Sequence, residues 1–148
     1  MKRTNSRIKA LNMLYQYELC DKDVNVESFD NLLEEYTEDN KKVSIDDKFA
    51  QDLFNGVIEK MDTIDRIIAI NLDNYPLDRL SYLDRNIIRI GTYELLYTDT
   101  PKAIIINEVV EISKLFTEID DFKTSKFNNS VMDKIAKFIE ERKNNGGN

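Results

Sequence analysis

Chain breakers are nearly absent from this sequence. Four glycines and two prolines serve 148 residues, and two of those glycines stand side by side at Gly146 and Gly147. A chain that can rarely turn must run in long elements, and its apolar residues recur with the helical period. The pattern predicts an all-α fold, a compact single-domain bundle of about six or seven helices.

The first helix is predicted from Asn5 or Ser6 to Leu19, with Ile8, Leu11, Tyr15 and Leu19 on one face. An acidic, loop-like stretch over 20–27 leads to a short second helix carrying Phe29, Leu32, Leu33 and Tyr36, and a charged connection covers 37–43. Ser44, with Asp47 three residues on, is predicted to cap a helix striped by Phe49, Leu53, Val57 and Met61. Gly56 inside it costs roughly 1 kcal/mol relative to Ala, so a close helix–helix approach is expected there. Asp62 is read as the cap of the next helix (Ile64, Ile67, Ile68, Leu72), which Asn74-Tyr75-Pro76 stops. Pro76 opens a short turn, and Ser81 with Asp84 caps a helix that is apolar on several sides: Leu83, Ile87, Ile88, Ile90, Leu95 and Leu96. Such a helix is expected at the centre. Thr100-Pro101 breaks it. Ile104-Ile105-Ile106 alone would suit a strand, but Val109, Ile112 and Phe116 extend the helical spacing. Thr124 or Ser125 is expected to cap a last helix marked by Phe127, Val131, Ile135 and Phe138. One domain is expected over 1–143, with a disordered tail at 144–148.

No apolar run approaches the ~20 residues that cross a bilayer, and the amino terminus lacks a signal-peptide core. No membrane role is expected. A single cysteine, Cys20, fits a reducing, cytoplasmic setting. The chain has no histidine, so a Cys–His nucleophile and the usual zinc sites are ruled out. Asp21 and Asp23 lack the rest of a calcium loop, and no phosphate-binding glycine motif occurs. The paired acids Glu34-Glu35, Asp46-Asp47 and Asp120-Asp121 fall at element ends or on solvated faces. No catalytic residue, metal or cofactor is expected, and the chain reads as a non-enzyme.

Charge is unevenly spread. The net charge is −7, and 18–65 holds fifteen acids against five bases. The first 17 residues hold Lys2, Arg3, Arg7 and Lys9 and no acid, and 122–138 holds Lys123, Lys126, Lys134 and Lys137 against Asp133 alone. Two basic ends on an acidic body can bind phosphate locally. Arg3 and Arg7 are four residues apart and share a helix face, where cations also oppose the helix dipole. Lys123 and Lys126 flank Phe127, and an exposed ring beside lysines is a single-strand nucleic-acid device. Pattern alone, however, sets Phe127 on the Val131–Ile135 stripe as a core residue.

Several segments together resemble the NusB family. The start matches in Arg3 and Arg7 and in the A-L-x-x-L-Y motif at Ala10, Leu11, Leu14 and Tyr15. L-R-I-A-x-Y-E-L matches Ile88 to Leu95 with Gly91 in the Ala place, and I-N-E-A-V-E-L-A-K matches Ile106 to Lys114. K-F-V-N-G-V-L-D matches Lys126 to Asp133, with Asn128 and Ser130 replacing Val and Gly. The resemblance implies a helical antitermination factor. Such a factor binds boxA single-stranded RNA of ribosomal RNA leaders with the ribosomal protein NusE, within an RNA polymerase antitermination complex. It implies RNA contacts at Lys2, Arg3, Arg7, Lys9, Lys123, Lys126 and Phe127, and partner contacts at Tyr15, Leu19 and Asp84. The alternatives are an adapter in ribosomal RNA maturation and a purely protein-binding scaffold or homodimer. Methyl transfer, found where a similar domain is fused to a glycine-rich cofactor-binding half, is not expected of this chain.

Overall fold

The structure, a computed structural model, describes residues 2–20, 24, 44–116 and 123–146. Every regular element among them is helical: α1 (Lys2–Leu19), α2 (Asp47–Glu59), α3 (Met61–Ile70), a 3-10 turn (Leu77–Arg79), α4 (Tyr82–Tyr97), α5 (Lys102–Phe116) and α6 (Lys123–Gly146). The expected helix around Phe29–Tyr36, the connection at 37–43, and the acids at 21, 23, 34, 35, 120 and 121 lie outside the described residues. Contacts within the chain group into two compact units, Met1–Gly56 and Val57–Asn148, with the boundary inside α2. Residues 144–146, expected in the tail, continue α6, and 147–148 lie outside the described residues.

In the first unit, α1 starts three residues earlier than the Asn5 the sequence suggested. Ser6, read as a possible start, instead accepts a hydrogen bond from the Asp46 N–H at 2.7 Å and donates to the Lys2 carbonyl at 2.8 Å. α1 buries Ile8, Ala10, Leu11, Met13 and Leu14. The cap of α2 falls on Asp46, whose Oδ1 accepts from the Phe49 N–H at 3.1 Å, and not on Ser44. Ser44 offers its carbonyl to the Asn5 amide at 3.2 Å. Tyr17 meets Phe54 edge to face at 5.9 Å.

In the second unit α4 packs against α3, α5 and α6, which is the central place its apolar circumference required. Ile87, Ile88 and Ile90 are buried, as are Ile64 and Ile68 on α3, Ile105, Val109 and Ile112 on α5, and Val131, Met132 and Ile135 on α6. Each fully buried side chain of this size contributes about 1.5–3 kcal/mol. Ser81 caps α4: its Oγ accepts from the Asp84 N–H at 3.1 Å and donates to Asp84 Oδ2 at 2.8 Å. Asp62 is not a cap; it sits in the first turn of α3 behind Lys60. Arg89 forms a two-pronged ion pair with Asp65 of α3 (2.8 and 2.9 Å) and donates to Asn86 Oδ1 at 3.0 Å. Asp73 and Asn74 take left-handed backbone angles (φ 49° and 71°), which turn the chain out of α3. Short polar side chains tolerate that region best.

A close helix approach that the sequence did not place is seen at Gly91. A Cβ there would lie 2.8 Å from Val109 Cγ2 and 2.7 Å from the Met132 methyl. The resembled motif has Ala in the place of Gly91, and here Val109 and Met132 fill the space that its methyl would take. Gly91→Ala gains about 1 kcal/mol of helix propensity but costs roughly 1–3 kcal/mol of overpacking against a stiff β-branched neighbour. The expected net result is a loss of about 1 kcal/mol. Val109→Ala in the same chain should relieve it. Urea melts of both singles and the double check this, and strictly additive losses would refute the coupling.

Candidate nucleic-acid interface

Arg3 and Arg7 do share a face of α1, and that face meets Phe49. The Arg3 guanidinium lies 3.9 Å from the ring centroid and that of Arg7 lies 5.3 Å away. Their fates differ. Lys2 and Arg3 are exposed, whereas Arg7 and Lys9 are each only 3% exposed. Lys9 Nζ reaches Asp47 Oδ1 at 2.7 Å across to the start of α2. Arg7 and Lys9, expected at phosphates, are thus buried beside a ring and paired with a carboxylate. α1 turns both residues inward, where a ring and a carboxylate await them. Tyr15 is half-buried and Leu19 exposed on the last turns of α1.

Phe127 is not a core residue. It is 37% exposed, and the buried stripe of α6 runs instead through Ser125, Asn128, Val131, Met132 and Ile135. Its ring leans on that of Tyr75, with centroids 5.7 Å apart and planes tilted 55°. The two rings, Arg79, Asp84 and Lys123 line a groove of about 320 Å³. Lys123 lies one helical turn before Phe127 and so shares its side of α6. Lys126 does not. The helix turns it into a separate groove of about 670 Å³, with Lys102, Lys114 and Asp133. Of the other basic-end lysines, Lys134 is paired with Asp73.

Asp84 joins the Phe127 groove. Its Oδ1 accepts from Asn128 Nδ2 at 3.2 Å, and the same amide donates to Ser113 Oγ at 3.0 Å. Asn128 is fully buried, and its Oδ1 has no hydrogen-bond partner among the described residues. The resembled motif has Val in the place of Asn128, whose amide here links Asp84 to Ser113. Ser130 points to solvent. Tyr75 and Arg79 were missed in the sequence, where Asn74-Tyr75-Pro76 served only as a stop signal. A ring beside Asn-Pro, in a turn that cannot bury it, was the available clue.

Two exposed rings with two cations suit an unpaired base and its flanking phosphates, since rings stack bases and cations hold the backbone. Among the described residues, no group of His, Cys, Asp and Glu could hold a metal ion, and no helix is long and apolar enough to cross a membrane. The fold and groove define a small helical protein that presents two exposed rings beside two cations.

Comparison with known proteins narrows this class. The NusB family model matches residues 4–137. A transcription antitermination protein NusB from a Nitratiruptor species is 36% identical over 137 residues, covering 93% of each chain. Its counterpart in Listeria monocytogenes serotype 4a is 39% identical over 92% of this chain and 97% of its own. The solved T. maritima NusB is similar at 32% identity and TM-score 0.69, over 93% of this chain and 92% of that one. A crystal structure of antitermination factors NusB and NusE with dsRNA is similar at 28% identity and TM-score 0.69, over 92% and 96%. The chain belongs to the NusB family.

Proposed function

We propose that this protein is a transcription antitermination factor and a non-catalytic adapter. It binds the boxA element of ribosomal RNA leaders together with the ribosomal protein NusE, and acts in the cytoplasm within an RNA polymerase antitermination complex. Family membership over nearly the whole chain supports this reading, as does a structural neighbour solved with NusE and RNA. The observation that carries it is the exposed Phe127–Tyr75 pair beside Lys123 and Arg79. Phe127 stacks a base, Lys123 and Arg79 hold the neighbouring phosphates, and Lys2 and Arg3 add phosphate contacts of their own. Tyr15 and Leu19 offer the partner its apolar contact. Asp84 shares the groove with Phe127, so a partner reaching it meets the RNA there.

That geometry favours cooperative binding. A body of charge −7 repels RNA, and a basic ribosomal protein offsets the repulsion while extending the phosphate face. NusE should therefore tighten boxA binding, and boxA should tighten NusE binding by the same factor. Fluorescence titrations with and without NusE test this; equal RNA affinity in both would overturn it. A readthrough assay on a ribosomal RNA leader separates antitermination from a role in RNA maturation alone. RNA binding that vanishes at physiological salt would leave only a protein-binding scaffold.

The basic start yields a second expectation. Arg3→Ala should lower the log–log salt slope of RNA binding by ~0.7 for the lost contact, equally on boxA and scrambled RNA. Arg7→Ala and Lys9→Ala should instead lower the melting temperature and leave the slope nearly unchanged. Slopes that fall with Arg7 or Lys9 while stability holds would return those residues to the RNA face.

A further inference from the structure

The second unit carries another groove that this function does not use. It holds about 510 Å³ between α3, the end of α4 and α6. Its floor is aliphatic, from Ile67, Ile70 and Leu96, with Phe138 at one side. Ile70 is 53% exposed at the end of a helix that buries Ile64 and Ile68. The rim is cationic: Arg66, Arg142 and Lys143 line it, and among the described residues no carboxylate does. That is an anomaly on a chain of charge −7.

We propose that this groove is a docking site for an acidic amphipathic helix of a protein partner. Aliphatic side chains at i, i+3, i+4 and i+7 of such a helix fill the floor, and its flanking carboxylates meet the three cations. Single-stranded RNA fits poorly. The lining has one ring, Phe138, with the Arg142 guanidinium 5.0 Å from its centroid, so it lacks the pair of exposed rings that the Phe127 groove offers a base. The larger groove beside Lys126 is a weaker candidate, because Asp133 lines it and Lys102 and Lys114 are paired with Glu140 and Glu111. The body's overall charge repels an acidic peptide, so binding must come from the local cations.

The test uses the full-length protein and a labelled, capped peptide of ~15 residues with Leu at those spacings and Glu elsewhere. Fluorescence anisotropy should show saturable binding that weakens with salt. Reversing the rim (Arg66→Glu, Arg142→Glu, Lys143→Glu) should weaken it on the order of 10-fold, and the same variant should accept a peptide with Lys in place of Glu. Ile70→Gln should abolish binding with an unchanged melting temperature and unchanged boxA affinity. Equal binding of Glu and Lys peptides would overturn the proposal. So would displacement of the peptide by single-stranded RNA, or a concentration-dependent dimer in sedimentation that Ile70→Gln dissolves.

Discussion

Asp65→Ala is expected to lower the unfolding free energy by roughly 3 kcal/mol, at the low end of the range for breaking a buried ion pair. The Arg89 side chain is almost wholly buried, and Asp65 satisfies two of its N–H groups at 2.8 and 2.9 Å. Removing the carboxylate takes both of those bonds from an interior guanidinium, while the bond to Asn86 remains. Asp65 keeps some solvent access, which holds the loss to the lower end. The double variant Asp65→Leu, Arg89→Met should lose less than Asp65→Ala, because no charge is then stranded. Urea unfolding followed by circular dichroism checks both. A double variant that is the less stable of the two would mean the pair contributes net stability, not just an avoided penalty.

The second large effect is on binding. Phe127→Ala should weaken boxA binding by ~1–3 kcal/mol, the usual value of one base stacked on a ring. The loss should be smaller on a scrambled RNA, and the salt slope should stay nearly constant. The melting temperature should hardly move, because Phe127 already faces solvent and leans on another exposed ring. A core phenylalanine would behave in the opposite way, costing roughly 3–5 kcal/mol of stability. Lys123→Ala should lower the salt slope by ~0.7 at little cost in selectivity. Lys126→Ala should do so less, since Lys126 lines a different groove. A melt run beside each titration decides the matter: lost fold with no selective loss on boxA would return Phe127 to the core.

Much of the fold was legible because its signals are local. Helix periodicity, the break at Thr100-Pro101 and the Ser81–Asp84 cap each depend on residues a few positions apart, and all three appear in the structure. Caps at Ser44 and Asp62 failed for a nearby reason. Several acids and hydroxyls stand at the start of α2, and tertiary contacts choose among them, while α3 starts behind Lys60 with no side-chain cap. Ser6 ties down the Asp46 amide, and Asp46 rather than Ser44 then caps α2.

The site was legible as residue types and not as an arrangement. Sequence named Phe127, Lys123 and Asp84, but could not bring Tyr75 and Arg79 to Phe127 across the long stretch of chain between them. It grouped Lys126 with Phe127 because they are neighbours in the chain, whereas a helix separates consecutive side chains by about 100°. It treated four basic residues at the start as one patch, and of those four the structure leaves Lys2 and Arg3 at the surface.

By itself, the sequence determined that this chain is helical and carries the NusB motifs, and it marked basic and aromatic residues near its two ends. Those follow from spacing, and spacing is written along the chain. Only the tertiary structure decided which cations stay in water and which are consumed inside, because that depends on what stands opposite. Phe49 and Asp47 stand opposite Arg7 and Lys9, while Phe127 meets the exposed ring of Tyr75 at the surface. Gly91 and Asn128 were visible in the sequence as departures from the motifs, while their neighbours Val109 and Ser113 were not singled out. Contact across helices joined each to its neighbour, since a volume or a hydrogen bond lost on one helix can be restored only by its neighbour in space.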